Sequence, residues 1–153
     1  MQALELRIPP PIVALFVAAI MWGISLATPS IEMPRFIRIA TAIAIALAGV
    51  GTAISGVIAF RHAKTTVNPL KPETTSVIVT SGVYRFTRNP MYVGLAFVLL
   101  SWAVFVSSAW ALLGPVIFVL YMNRFQIIPE ERVLSGMFGT SYSVYRARVR
   151  RWL

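Results

Sequence analysis

The chain has 153 residues, 58% hydrophobic and only 12% charged, with mean hydropathy +0.76 and a formal charge of +9. Soluble domains carry about 25% charged residues, so this composition excludes an ordinary water-soluble globule. It has no cysteine and one histidine, His62, which excludes disulfides, a thiol nucleophile, cysteine metal sites and a His-rich metal centre.

Several apolar runs approach the roughly 20 residues that cross a hydrocarbon core, so one compact integral membrane domain is expected. In such a chain the basic excess marks the cytoplasmic side and meets anionic lipid head groups; nucleic acid is not the expected partner. Residues 1–8 form a short polar lead with Glu5 and Arg7, and Pro9-Pro10-Pro11 sets up a helix entry. The first helix is predicted over about 11–27, stopped by Thr28-Pro29-Ser30, and is read as retained because it lacks a charged n-region and a small-residue cleavage site. The second, about 36–60, carries Ala40, Ala44, Ala48, Thr52 and Gly56 at four-residue spacing, a stripe that lets another helix approach closely.

From 61 to 94 the character changes. Residues 61–89 hold five Lys/Arg, two prolines and many hydroxyls, with no run long enough to span. A loop of this length is uncommon unless it has work to do. Val77-Ile78-Val79 is a β-branched patch suited to an extended backbone, and Thr80-Ser81-Gly82 reads as a turn with Gly82 free to take positive φ. A third helix follows over about 90–106, a hairpin at Ser107-Ser108, and a fourth helix over about 110–128 with a kink expected at Gly114-Pro115. Trp102 and Trp110 flank the hairpin as interfacial aromatics. The tail, 129–153, is amphipathic and basic.

The arginine distribution places the 61–89 loop and the C-terminus together in the cytoplasm, against a mild dissent from Arg35 and Arg38. The fold class expected is therefore all-α integral membrane: four transmembrane helices, with a cytoplasmic loop and a C-terminal amphipathic helix closing a pocket. A bacterial inner membrane suits so compact a chain.

The candidate site residues crowd where the loop enters the third helix. Tyr84, Arg85, Arg88, Asn89, Pro90 and Tyr92 fall within a few residues of one another, and Glu130-Glu131 lie on the same side of the membrane. Two carboxylates at the end of a span are costly and demand a reason. One reason is structural, since Pro129-Glu130-Glu131 resembles a first helical turn, where acids meet the positive dipole end. The other is a ligand contact, and adjacent helical residues point about 100° apart, so at most one of the pair faces a given ligand directly. Arg85 and Arg88 fit the positive-inside pattern equally well, and Tyr84 and Tyr92 fit an interfacial belt. Asn89 suits an N-cap with Pro90 at the first helical position, and a helix N-terminus offers amides to an anion.

Together these residues resemble the isoprenylcysteine carboxyl methyltransferase and phospholipid methyltransferase group of integral membrane enzymes. The pattern is Gly82-Val83-Tyr84, then RNPMYVG from Arg88 to Gly94, a helical hairpin, Glu130-Glu131, and FGTSYSVYRARV from Phe138 to Val149. It covers about residues 64–152. The resemblance implies S-adenosylmethionine bound between the loop, the start of the third helix and the start of the tail. Cofactor contacts are implied at Val77, Ile78, Val79, Gly82, Tyr84, Asn89, Pro90, Met91, Tyr92, Glu130 and Glu131, with Arg88, Asn89 and Glu130 at the chemistry. Arg88 or helix amides would hold the methionine carboxylate, Glu130 an ammonium or ribose hydroxyl, and tyrosine faces the sulfonium. One position departs: Asn89 stands where the pattern most often has histidine, and asparagine cannot act as a base near neutral pH.

The implied acceptor is lipid-like: a prenylated cysteine carboxylate, a phospholipid amine or another small amphiphile. Membrane sterol reductases, which use NADPH, resemble the same C-terminal architecture but are usually much longer. A four-helix transport or scaffold protein would carry charges within its spans, which are nearly free of them here.

Overall fold

The computed structural model describes residues 5–63 and 72–153. Part of the lead (1–4) and the loop segment 64–71, including Lys64, lie outside the described residues. Those described form α1 (Pro10–Ala27), α2 (Arg35–His62), α3 (Pro90–Val106), α4 (Leu113–Met122) and α5 (Ile128–Arg148), with no strand among them. Short 3-10 turns occupy Pro72–Thr74, Gly82–Arg85 and Trp110–Leu112, and a π turn covers Asn123–Ile127.

Prolines set the helix starts. Pro10 occupies the first turn of α1, Pro34 immediately precedes α2, and Pro90 opens α3, each where a missing N–H costs no hydrogen bond. Among the described residues three stretches are long and apolar enough to cross a membrane: Pro10–Ala27, Arg35–His62 and Trp110–Arg148. The 17 residues of α3 are apolar but fewer.

The third long stretch differs from expectation. No break separates a fourth span from a tail at 128–129; the chain stays helical from the 3-10 turn at Trp110 through Arg148. Pro129 lacks an N–H and would crowd the carbonyl four residues back, and the π turn Asn123–Ile127 just ahead of it widens the helix there. The bend comes instead at Gly139, whose φ of 50° and ψ of −122° are open to glycine and strained for other residues. The kink expected at Gly114-Pro115 is absent: both residues lie in the first turn of α4, where proline is harmless.

α2 packs mainly on α3, and its contact face shares only the C-terminal part of the predicted stripe, Gly56 and the half-buried Thr52. Ala40, Ala44 and Ala48 are exposed, and the buried positions are Ala42, Gly49 and Gly56, seven residues apart. At Gly49 the two backbones come so close that a Cβ there would stand 2.8 Å from the Gly94 carbonyl oxygen. At Gly94 a Cβ would stand 2.5 Å from the Gly49 oxygen and 2.7 Å from Ala53 Cβ. Ser101 Oγ donates across the same contact to the Ala42 carbonyl at 2.7 Å. On the other side of α3, Val13, Val17 and Met21 of α1 meet Leu99, Phe118, Met122 and Ile127 in the core. Trp102 turns partly into this bundle, donating to the Ala18 carbonyl at 3.0 Å, whereas Trp110 is exposed.

The two ends of the bundle are closed differently. At one end Ser107, in the left-handed conformation, accepts from the Ile31 N–H at 2.6 Å and donates back to the Ile31 carbonyl at 2.8 Å, while Thr28 and Ser108 hydroxyls pair at 2.8 Å. The other end carries the residue 82–90 segment, the N-terminal lead and the C-terminus. There Glu5 takes Arg124 at 2.9 Å and Arg132 at 3.4 Å, and the Arg124 hydrogen bond, with Arg132's charge, holds its carboxyl below the usual range. Loop and tail thus share one face, as the arginine distribution required.

Replacing Gly94 by valine is expected to lower stability by about 1–3 kcal/mol through overpacking, while Gly23→Ala, with nothing within 4 Å of the added Cβ, is expected to be neutral or stabilising. Thermal unfolding of the detergent-solubilised protein checks this, and equal midpoints for the two variants would contradict the close approach.

Candidate functional site

The turn Gly82–Arg85 and the first turn of α3 meet the π turn and the start of α5 at one end of the bundle. Gly82 takes a φ of 60°, the conformation its residue type leaves open, and the next turn carries Tyr84 inward, 4% exposed. Phe60 of α2 meets the Tyr84 ring edge-on at 5.3 Å, and the Tyr145 hydroxyl donates to the Tyr84 carbonyl at 2.8 Å. Burial, with smaller contributions from Tyr145 and Glu130, pushes the Tyr84 phenol far above its ordinary pKa, so it remains a neutral donor.

The adjacent glutamates have separate environments, as their 100° angular offset demands. Glu130 Oε1 accepts from the Tyr92 hydroxyl at 2.5 Å and from Gln126 Nε2 at 2.7 Å. Glu131, 7% exposed, lies between two arginines. Arg151 donates to it bidentately, Nε to Oε1 at 3.1 Å and Nη2 to Oε2 at 2.7 Å, and Arg88 Nη2 reaches Oε1 at 3.1 Å. The hydrogen bond to Glu131 raises the Arg151 pKa further still. Because α5 continues unbroken from the π turn, neither carboxylate meets a free helix N-terminus, and dipole support is not their reason.

Arg88 is the unbalanced member. Its side chain is 9% exposed, and among the described residues nothing accepts from its Nε or Nη1. Two buried guanidinium donors without acceptors are costly, and an anionic oxygen is the group that relieves them.

Asn89 holds the N-cap position of α3, and its carbonyl accepts from the Tyr92 and Val93 amides at 3.0 Å each, but its side chain makes no cap. Its Nδ2 donates instead to the Arg151 carbonyl at 2.9 Å. The same carbonyl takes the Thr87 hydroxyl at 3.2 Å, the Arg88 N–H donates to the Arg150 carbonyl at 2.9 Å, and Trp152 Nε1 reaches Asn123 Oδ1 at 3.0 Å. The extended C-terminal residues are thereby sewn to the entry of α3.

Of the residues singled out in the sequence, Tyr92 and Glu130 meet directly, Arg88 and Glu131 pair beside them, and Tyr84 packs on the same side with Val79 also buried. Val77 is half exposed in an irregular bend, Pro90 packs toward Gly56, and Met91 packs both there and against the core; Ile78 is partly buried with no side-chain hydrogen bond to make. Sequence reasoning missed Gln126 and Arg151. The i,i+4 spacing of Gln126 to Glu130 within a helix was a usable signal. Arg151 had none, because only the return of the C-terminus brings it near.

An apolar helical bundle with a buried cation and a half-buried, hydrogen-bonded carboxylate at one end is a membrane protein with a built polar site. The sequence profile of the phospholipid methyltransferase family matches residues 37–141, and the chain belongs to that family. An uncharacterized protein of Haemophilus influenzae is 44% identical over 63 residues, 41% of this chain and all of that one. No solved structure gives a significant match.

Replacing Glu131 by alanine removes the acceptor shared by Arg88 and Arg151, and breaking a buried pair on one side typically costs about 3–5 kcal/mol. Amide hydrogen exchange at residues 149–152 is expected to accelerate strongly in this variant. Unchanged protection there would show that the clamp does not hold the C-terminus.

Proposed function

We propose that this protein transfers a methyl group from S-adenosylmethionine to a lipid-like acceptor at the cytoplasmic surface of a bacterial inner membrane. The observation that carries the reading is Arg88: a buried guanidinium with two free donors, beside the Tyr92–Glu130 hydrogen bond. A cation with open donors next to a carboxylate fits a zwitterionic amino-acid group, which is the methionine end of this cofactor. The family match supports the methyltransferase class.

In this reading Arg88 holds the cofactor carboxylate, and Glu130, aligned by Tyr92 and Gln126, takes its ammonium or a ribose hydroxyl. Tyr84 and Tyr92 offer aromatic faces to the sulfonium, while Val79, Gly82 and the Asn89–Met91 turn line the approach. Glu131 acts on the site through Arg88. When bound, the cofactor supplies a sulfonium methyl that a nucleophile takes while the C–S electron pair stays on sulfur.

Asn89 narrows the acceptor. Its amide is engaged with the Arg151 carbonyl and it cannot take a proton. An ionised carboxylate needs no base, only alignment, whereas an ammonium must first lose a proton. Carboxylate O-methylation, of the isoprenylcysteine type, is therefore favoured over phospholipid N-methylation.

Calorimetric titration of the detergent-purified protein with S-adenosylhomocysteine, and with NADPH in parallel, tests the reading. Saturable binding of the first alone is expected, and binding of NADPH alone would replace the reading with a reductase. Glu130→Gln and Tyr92→Ala, folded and membrane-inserted, are each expected to weaken that binding by roughly tenfold to a hundredfold or more, the worth of a lost charge-assisted contact. Wild-type affinity in both would remove these residues from the site.

A further inference from the structure

The π turn beside the polar site is not completed by its own helix. Its wide register shows at Ile128, whose N–H donates to the Asn123 carbonyl five residues back. The regular helical donor for the Phe125 carbonyl would be the N–H four residues on, and that residue is Pro129, which has none. A helical carbonyl orphaned in this way takes its donor from elsewhere.

The N-terminal lead supplies it. The Leu6 N–H donates to the Phe125 carbonyl at 3.1 Å, and Leu6 does so at a φ of 57°, a left-handed conformation that leucine adopts only under constraint. The preceding residue, Glu5, accepts from Arg124 Nη1 at 2.9 Å and from Arg132 Nη1 at 3.4 Å. One carboxylate thus ties the π turn to α5 beyond Pro129. The Arg124 guanidinium also lies over the Phe125 ring, 5.4 Å from its centroid, and that ring packs on Tyr121 at 4.8 Å. Exposed ion pairs are weak one at a time. Here two of them share a carboxylate only 12% exposed, next to a backbone bond made by the adjoining residue.

What the lead grips is the stretch that sets Glu130. Gln126 and Glu130 both lie between Arg124 and Arg132, and Gln126, 2% exposed, donates to Glu130 Oε1 at 2.7 Å. An α register here in place of the π turn would rotate the residues ahead of it by about 100° relative to those after it. The winding of this turn therefore decides whether Gln126 meets Glu130.

We infer that the lead is a clasp with a positioning role: Glu5 and the Leu6 amide fix the π turn, and through Gln126 they fix the Glu130 carboxylate. That Glu130 meets the cofactor rests on the methyltransferase reading, while the control of its position rests on the contacts of the lead alone.

The five acidic residues of the chain are all glutamates, so carbon-13 labelling of the glutamate carboxyl gives five resonances from the full chain in nanodiscs. Those of Glu130 and Glu32 are identified by their loss in Glu130→Gln and Glu32→Gln. Glu5→Ala, and Leu6→Pro, which removes the N–H, are each expected to move the Glu130 resonance. Glu5→Gln, which keeps an acceptor, is expected to move it less. Glu32, between α1 and α2 at the opposite end of the bundle, is expected to stay in place. Arg7→Ala, exposed in the same lead, is expected to move neither. S-adenosylhomocysteine affinity, titrated in the same samples, is expected to fall several-fold in Glu5→Ala and Leu6→Pro and to stay at the wild-type value in Arg7→Ala. Where Leu6→Pro moves Glu32 as well, the bundle itself is disturbed and the graded pair Glu5→Ala and Glu5→Gln decides. A Glu130 resonance unmoved by the clasp variants, or moved equally by Arg7→Ala, would overturn the inference, as would wild-type affinity despite a moved resonance. A Glu130 resonance that follows the clasp in a wild-type protein unable to bind S-adenosylhomocysteine would uphold the clasp and overturn the cofactor reading.

Discussion

The Glu131 carboxylate holds the functional end of this molecule together. It is buried, so its charge must be compensated, and it is compensated from two directions by Arg88 and Arg151. Burying these ions costs several kcal/mol each unless geometry and hydrogen bonding are good. The bidentate fork from Arg151 supplies that geometry, and in doing so fixes three distant segments: the entry to α3, the start of α5 and the last residues of the chain. Once Arg151 is placed, its carbonyl receives Thr87 and Asn89, and Trp152 reaches Asn123. The orientation of Arg88, and hence of its two free donors, depends on the same pair.

The π turn ahead of Pro129 divides labour between the two glutamates. A regular helix through Pro129 would meet a steric conflict with the preceding turn; the wider turn avoids it and carries the helix on without a break. Glu130 then points toward Tyr92 and Glu131 toward the arginines. A helix starting afresh at Pro129 would have offered free amides to both acids and weakened the case for either as a ligand contact. Continuity makes Glu131 a fixed structural charge and leaves Glu130, held by neutral donors, as the adaptable one.

Asn89 shows how a departure from a family pattern is absorbed. The position keeps its backbone task, capping α3 through its carbonyl, and the side chain takes up a structural bond to the C-terminal segment. With no base at that point, a reaction that needs no proton transfer fits the proposed function best. The close Gly49–Gly94 contact brings the backbones of α2 and α3 together along the side of α3 that faces α2.

Much of the architecture was legible in the sequence because its causes are local. Apolar run length, proline at helix starts and the concentration of basic residues define the helices and put loop and tail on one face, and the positive φ of Gly82 follows from its residue type. The order of short motifs pointed to Tyr84, Arg88, Tyr92 and Glu130. The interhelical face of α2 was legible only at Gly56, since an alanine-rich helix offers several small-residue stripes and only the partner chooses Ala42 and Gly49. Nor was the continuity through Pro129, which depends on a π turn with no sequence mark of its own. The sequence alone therefore determined a membrane helical bundle of this family with polar residues gathered at one end. Tertiary structure decided which glutamate is clamped and which stays available, because that depends on the C-terminal Arg151 returning across the whole length of the site, a contact between residues distant in the chain.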